Sequence, residues 1–386
     1  MPRFPATEAK IDGIEQSIFA RLIARIQAHG GVRYPFHIGD TFLLPPPACR
    51  LEALAERPPA RPYAYSHPFG SDALRDALAS KLARENDLSW VTPNHVSFTS
   101  GATHALSSLG QVLLSPGDEV LIPAPYWPLI PGIVRSAGAS PVEVPFWLEA
   151  DSGEDLDVAG LLEPHLSAAT VAIYLNSPNN PTGRVLSRQA LASVVELAQR
   201  HDLWLISDEA YEYHHFRDAK HVSLASLDGA AERTVSAFSF SKSYAMAGYR
   251  AGYLVGPESL IARVRKVTNH SVYSVAGAVQ EASLRALGEG QEWLSEAYDH
   301  YRSAAEHVAS RLQARFTQPE GAWYVWLELD CDGWEFLERA LEAGVCLAPG
   351  AAFGHGFDRA MRLCYASCDR ETLDAGIEAL NRVLAA

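Results

Sequence analysis

Long apolar runs, paired cysteines and surplus positive charge are all missing from this chain, and each absence removes a class of function. No stretch approaches the ~18 apolar residues of a membrane-spanning helix, so no membrane segment is expected. The opening MPRFPATEAKIDGIEQSIFARLIARI carries acidic residues and has no apolar h-region, which argues against a signal peptide. The five cysteines (Cys49, Cys331, Cys346, Cys364, Cys368) are an odd set without C-x-x-C. Cys364 and Cys368 have helical spacing, yet no histidine stands beside them at zinc-ligand spacing. Reduced thiols, a cytoplasmic location and no metal are the simplest expectation. The net charge of −14 argues against nucleic acid, whose phosphates need clustered Lys and Arg. It does not argue against anionic small molecules, because one pocket arginine can bind an anion on an acidic protein. No G-x-G-x-x-G follows any expected strand, which disfavours a nicotinamide enzyme.

What is present is an ordinary globular composition, 48% hydrophobic and 20% charged over 386 residues. That length exceeds the roughly 250–300 residues at which a single core stops growing, so two lobes are expected. Strands are read at Val96–Thr99, Glu119–Ile122, Thr170–Leu175, Leu203–Ser207, Thr234–Phe240 and Ala251–Val255. Between them run helical patterns. Ser71 opens one with Leu74, Ala77, Leu78 and Leu82 on a face, and Ser187 opens another with Leu191, Val194, Val195 and Ala198. Such alternation makes βαβ units, hence an α/β fold with a mostly parallel sheet flanked by helices. After about residue 285, long helical patterns surround the aromatic strand Ala322–Leu329, which predicts a smaller α+β domain. The expected division is 48–285 for the large domain, with 1–47 and 286–386 forming the small one.

In open α/β sheets, ligands bind beyond the carboxyl ends of the strands. Polar residues fall at those ends: Thr103 after Thr99, Asn180 in NSPNNPTG, Asp208 and Tyr211 in SDEAY, and Lys242 in SFSKSYAMAGYR. Taken singly each has a plainer reading, NPTG as a turn and SDEAY as an acidic helix start. Together their chemistry converges on pyridoxal phosphate. Lys242 can form an imine with an aldehyde. Asp208 can keep a pyridine nitrogen protonated. Asn180 and Tyr211 can donate to a phenolate oxygen, and Trp127 can stack on the ring. The amides of Ala102 and Thr103 at a helix start, with Ser239 and Arg250, suit a phosphate.

In order along the chain, YSHPFGSDALRDALA, SGATHAL, SPGDEVLIPAPYW, NSPNNPTG, SDEAY, SFSKSYAMAGYRAGYLVG, PGAAFG and MRLCYAS resemble the class I/II aminotransferases of fold type I, from about Gly39 to Arg362. The resemblance implies that Lys242 carries the internal aldimine and, with Asp208 and Tyr211, forms the catalytic set. It implies that Arg362 pairs with the substrate α-carboxylate, with Gly39, Asn180 and Trp127 also at the substrate. It further implies a homodimer with shared active sites, Tyr65 reaching the neighbouring subunit's phosphate. The implied reaction moves an amino group from an amino acid to a 2-oxo acid by ping-pong kinetics.

Relatives specific for dicarboxylic substrates often carry an arginine shortly before a tyrosine-serine pair. Here the pair is Tyr273-Ser274, and the corresponding residue is His270. That favours an apolar, aromatic or specialised amino acid, with Tyr126, Trp127, Phe36, His37, Phe42 and Phe353 as candidate pocket aromatics. Tyr34-Pro35-Phe36 beside Gly39 suggests that the N-terminal segment closes over substrate. A C–S β-lyase on the same fold is the nearest alternative. A serine acyl-enzyme built on Ser239-Phe-Ser-Lys242 lacks its S-D-N and K-T-G companions. A regulator on this fold would need an added DNA-binding module, for which there is no room before Phe36. Adjacent His214 and His215 point apart and read as packed or solvated rather than metal-binding.

Overall fold

The computed structural model describes residues 9–14, 18–148 and 158–386. Residues 1–8, the start of the segment weighed as a leader, lie outside the described residues. Seven strands, β1 (Val96–Thr99), β2 (Glu119–Ala124), β3 (Ser140–Pro145), β4 (Thr170–Asn176), β5 (Trp204–Asp208), β6 (Thr234–Ser239) and β7 (Gly252–Val255), form one sheet in the order β1-β7-β6-β5-β4-β2-β3. All neighbours pair in parallel except β7, which runs antiparallel to both β1 and β6.

This sheet is apolar on both faces. Ile122, Ala172, Tyr174 and Ile206 pack on one side with Leu109 and Val264. Their strand neighbours Leu121, Ile173, Leu175 and Leu205 pack on the other with Leu191 and Val194. Alternate side chains point to opposite faces, so helices on both sides are needed to cover them. The expected helices supply that cover. Ser71 Oγ accepts from Leu74 N at 3.3 Å to cap Asp72–Glu85, and Ser187 Oγ accepts from Ala190 N at 3.1 Å to cap Arg188–Arg200. The sequence reading had no β3. It is an edge strand with prolines at positions 141 and 145 and an exposed first residue, a pattern that periodicity does not catch.

A second, fully antiparallel sheet follows: β8 (Arg315–Phe316), β9 (Tyr324–Glu328), β10 (Ala348–Pro349) and β11 (Ala360–Cys364), ordered β10-β11-β9-β8. Only β9 was expected. The helix Ile18–Ala28 packs here, with Leu22 in the same cluster as Trp323, Leu327, Leu341 and Ile377. Among the described residues no helix is long and apolar enough to cross a membrane.

Candidate active site

The parallel strands bring their carboxyl ends to one edge of the large sheet. Asn176 and Asp208 are the last residues of β4 and β5 and lie directly opposite each other in register. Ser239 ends β6, and the helix Gly101–Leu113 starts just beyond β1. These residues line a cavity of about 470 Å³, which also takes in Trp127, Lys242, Arg250, Tyr324 and Arg362.

Asp208 is the acid of this cavity. Burial pushes its carboxyl up to about 6, against the opposing pull of the Tyr174 hydrogen bond. Tyr174 donates its O–H to Asp208 Oδ2 at 2.7 Å, and Ala210 N donates to Oδ1 at 3.2 Å. The Tyr174 phenol is itself buried and raised well above its ordinary value, so it stays a donor. Asn176 Nδ2 donates to the Asp208 carbonyl at 3.0 Å, tying the two strand ends together.

Lys242 sits in the short helical turn Phe240–Ser243, which Ser239 opens by accepting from Ser241 N at 3.2 Å. Its Nζ reaches away from the sheet to donate to Gly39 O at 2.6 Å, 5.1 Å from the centre of the Trp323 ring. Burial lowers the amine below its ordinary value; Arg362 and Arg250 add to that push and Asp40 opposes it. A lowered amine is a better nucleophile and proton acceptor near neutral pH.

At another end of the cavity two sources of positive potential meet. Gly101 begins its helix at φ +79°, and a Cβ there would lie 2.7 Å from Arg250 Nη2. The guanidinium therefore rests against the helix N-terminus, where free amides and the helix dipole already favour an anion. Gly252 serves the same close approach, since a Cβ on it would meet Ala102 N at 2.7 Å. Ser239 accepts one bond and keeps its own O–H to donate.

Arg362, on β11, is buried and paired with neutral oxygens: Nη1 donates to Asn180 Oδ1 at 3.0 Å and Nη2 to His37 O at 2.9 Å. Its Nε has no partner among the described residues. The rings of Tyr324 and Phe353 lie 4.3 and 4.9 Å from Cζ. Asn180 owes its position to its own turn: Asn180 N donates to Asn176 Oδ1 at 2.8 Å, and Thr182 N to Asn179 Oδ1 at 3.0 Å. NPTG is thus a turn and a site element at once. Gly183 in it has φ +72° and passes so close to Tyr324 O that a Cβ would sit 2.4 Å away. A buried guanidinium without a carboxylate is costly, so this is a place for an incoming anion.

The structure therefore gathers Lys242, Asp208, Tyr211, Asn180, Ala102, Thr103, Trp127, Ser239, Arg250, Gly39 and Arg362 around one cavity. Tyr65 and His270 stand outside it. Tyr65 is 88% exposed, edge-on to Tyr273 at 5.0 Å. His270 is exposed, its Nδ1 2.8 Å from Lys266 O. Of the six candidate pocket aromatics only Trp127 and His37 line the cavity. Phe36, Tyr126 and Phe353 are buried in cores and Phe42 packs on His300.

Two residues that sequence reasoning missed are Tyr174 and Tyr324. Tyr324 OH lies 2.5 Å from Tyr211 OH, and a Cβ on Gly39 would meet it at 2.8 Å. Tyr174 is the one hydroxyl-bearing side chain inside the run VAIYL, a signal visible only once Asp208 is known to be its neighbour.

Comparison with known proteins agrees with this geometry. The family model described as aminotransferase class I and II matches residues 43–380. A probable aspartate/prephenate aminotransferase of Thermus aquaticus is 37% identical over 332 residues, 83% of each chain. Aromatic-amino-acid aminotransferase 2 of Thermococcus litoralis is 31% identical over 329 residues, covering 83% of this chain and 84% of that protein. Among solved structures, aspartate aminotransferase from Thermus thermophilus with maleate superposes with a TM-score of 0.90 at 32% identity, covering 99% of this chain and all of that one. The motifs seen in the sequence, the sheet that carries them and these relatives agree: the chain belongs to the class I and II aminotransferase family.

Proposed function

We propose that this chain is a pyridoxal-phosphate-dependent aminotransferase that moves an amino group from an L-amino acid to a 2-oxo acid in two half-reactions at one site. One observation carries the reading. The lowered amine of Lys242 shares a cavity with a hydrogen-bonded buried acid, an arginine-backed helix N-terminus and a buried guanidinium lacking a carboxylate. The donor set fits the cofactor: helix amides beside Gly101 together with Arg250 would hold its phosphate, and Asp208 would hold its ring nitrogen. When bound, the cofactor supplies an aldehyde for amines and a ring that accepts the electrons released at the substrate Cα.

The chain's own residues do the rest. Arg362 binds the substrate α-carboxylate through its guanidinium, held in plane by Asn180 and the His37 carbonyl. Lys242 Nζ would take the proton from substrate Cα as general base and, as general acid, deliver it to the cofactor's aldehyde-derived carbon rather than back to Cα. Asp208, with Tyr174 fixing Oδ2 and Ala210 N fixing Oδ1, would as a carboxylate keep a proton on the ring nitrogen. Tyr211 and Asn180 would donate to the phenolic oxygen, and Trp127 would cover the ring. Residues 48–285 form the cofactor-holding domain, with 1–47 and 286–386 forming the smaller one. The exposed Tyr65 and His270 serve a neighbouring subunit's site in a homodimer. The five free cysteines among the described residues fit a reducing, cytoplasmic setting.

An absorbance spectrum of the purified protein, recorded with pyridoxal phosphate before and after each L-amino acid, tests this. A visible band that is lost as the matching 2-oxo acid appears supports the reading. No band with added cofactor refutes it, and pyruvate with ammonia released from a cysteine conjugate would favour the lyase. Lys242→Ala is expected to lower turnover by at least ~10²-fold; turnover at the wild-type rate would refute its role.

A further inference from the structure

Resting on the aminotransferase reading, we propose that the substrate side chain is bulky and apolar or aromatic, held against Leu22, Ile23 and Leu129 with His37 at its side, and that dicarboxylic amino acids are disfavoured.

The helix Ile18–Ala28 supplies one wall. Positions 19, 22 and 23 share a helical face, and Phe19, Leu22 and Ile23 all line the cavity. The opposite wall is Trp127-Pro128-Leu129, with Ile38 at the mouth. Ile23 is 54% exposed, Ile38 44% and Leu129 46%. Large aliphatic groups clustered this way around one opening gain most from an apolar ligand that removes them from water.

Charge points the same way. Among the described residues the cavity is lined by three cations, and each has a place: Arg250 at the helix N-terminus, Arg362 beside Asn180, and Lys242 as the reacting amine. The two arginines of the wall helix face elsewhere. Arg21 and Arg25 lie over the Trp334 ring at 4.1 and 4.8 Å, and Arg25 pairs with Glu338. Among the described residues lining the wall, His37 is the remaining basic group. Burial and then Arg362 push it down to about 4, so it is a neutral imidazole at neutral pH. A backbone hydrogen bond with Cys346 opposes that push, and Nδ1 is buried away from the cavity. A neutral imidazole cannot neutralise a second carboxylate. A carboxylate placed against Leu22 and Ile23 would be desolvated without a compensating charge.

Two measurements on the cofactor-loaded enzyme test this. The first compares kcat/KM for phenylalanine, tyrosine, leucine and methionine with that for aspartate and glutamate. The second measures dissociation constants for two unreactive carboxylates, 3-phenylpropanoate and succinate. The apolar class should win by at least about tenfold in both, ~1.4 kcal/mol. Ile23→Arg, at an exposed helical position, should narrow or reverse both ratios. Aspartate or glutamate used as well as phenylalanine, or succinate bound as tightly as 3-phenylpropanoate, would overturn the apolar subsite, whichever subunit supplies the charge, while leaving the aminotransferase reading intact. Unchanged ratios in Ile23→Arg would also overturn it. Absence of amino-group transfer from every amino acid would instead overturn the aminotransferase reading, and the subsite with it.

Discussion

Tyr174→Phe isolates what the buried acid needs from its neighbour. The substitution keeps the ring that packs in the sheet core and removes only the O–H that donates to Asp208 Oδ2 at 2.7 Å. Hydrogen bonds to charged groups are worth ~1.5–3 kcal/mol, and ~1.36 kcal/mol is one pKa unit. Loss of the donor disfavours the carboxylate, so the Asp208 pKa should rise by about one to two units. Burial has already moved it up to about 6, where roughly nine-tenths is ionised at pH 7. One unit higher, about half is ionised; two units higher, about a tenth. A cationic ring nitrogen lowers the absolute value in both proteins but leaves the difference between them. The assay is kcat/KM against pH for the loaded wild type and Tyr174→Phe. The acid limb of the variant should lie about one to two units higher, with the plateau at high pH largely kept. A limb that moves by less than ~0.3 unit would refute the claim that Tyr174 sets the ionisation of Asp208.

Three further predictions use the same geometry. In cofactor-free protein the raised Asp208 pKa means that its contribution to stability is full below the ordinary carboxylate value of 3.8 and is lost as pH rises through about 6. Asp208→Asn should therefore melt higher than wild type at pH 8 and alike at pH 4; an equal difference at both values would contradict the assignment. Arg362→Met should raise KM for amino acids by at least ~30-fold, since truncating one member of a buried charge pair costs ~2–5 kcal/mol. It should also leave the ligand-free protein no less stable, because a buried guanidinium without a counter-ion is replaced by an apolar chain; a clear loss in melting temperature would show that Arg362 is structural. Gly101→Ala places a Cβ 2.7 Å from Arg250 Nη2 at φ +79°, so pyridoxal phosphate should bind at least about tenfold more weakly, ~1.4 kcal/mol, with unchanged affinity as the refuting result.

What the sequence displays depends on how local the cause is. The caps at Ser71 and Ser187 are local, and the structure has both. The central strands are apolar on both faces, so composition alone marks them, and their limits differ by only a residue or two. The expected strand Leu203–Ser207, for example, ends one residue later, on Asp208 itself. β3 escaped because an edge strand tolerates proline and acid, β8 and β10 because two residues carry no period, and β11 because a buried arginine sits in its middle. Within the site, strand-end logic reaches Asp208, Asn180 and Lys242. The pairing of Arg362 with Asn180 spans 182 positions and that of Lys242 with Gly39 spans 203, and no local pattern encodes contacts at such separations. Arg362 entered through resemblance alone. Tyr174 and Tyr324 entered through neither route, since a tyrosine in a strand looks like core until its hydroxyl is seen to meet a functional group.

Among the described residues the cavity sets Lys242, Arg250 and Arg362 against one acid, Asp208, within a chain of net charge −14. That local inversion of charge has a cost in the empty protein. Burial with two guanidiniums adding their push lowers the lysine, and Arg362 is held by dipoles rather than by a counter-ion. These are the features that a ligand with two anionic ends relieves, one at the Gly101 helix and one at Arg362. Since both guanidiniums are already in place, little reorganisation is required when those anions arrive, and the field acting on the amine changes with them. Two anions beside Lys242 would favour its protonated form, opposing the push that burial and the two guanidiniums exert on the amine in the empty cavity.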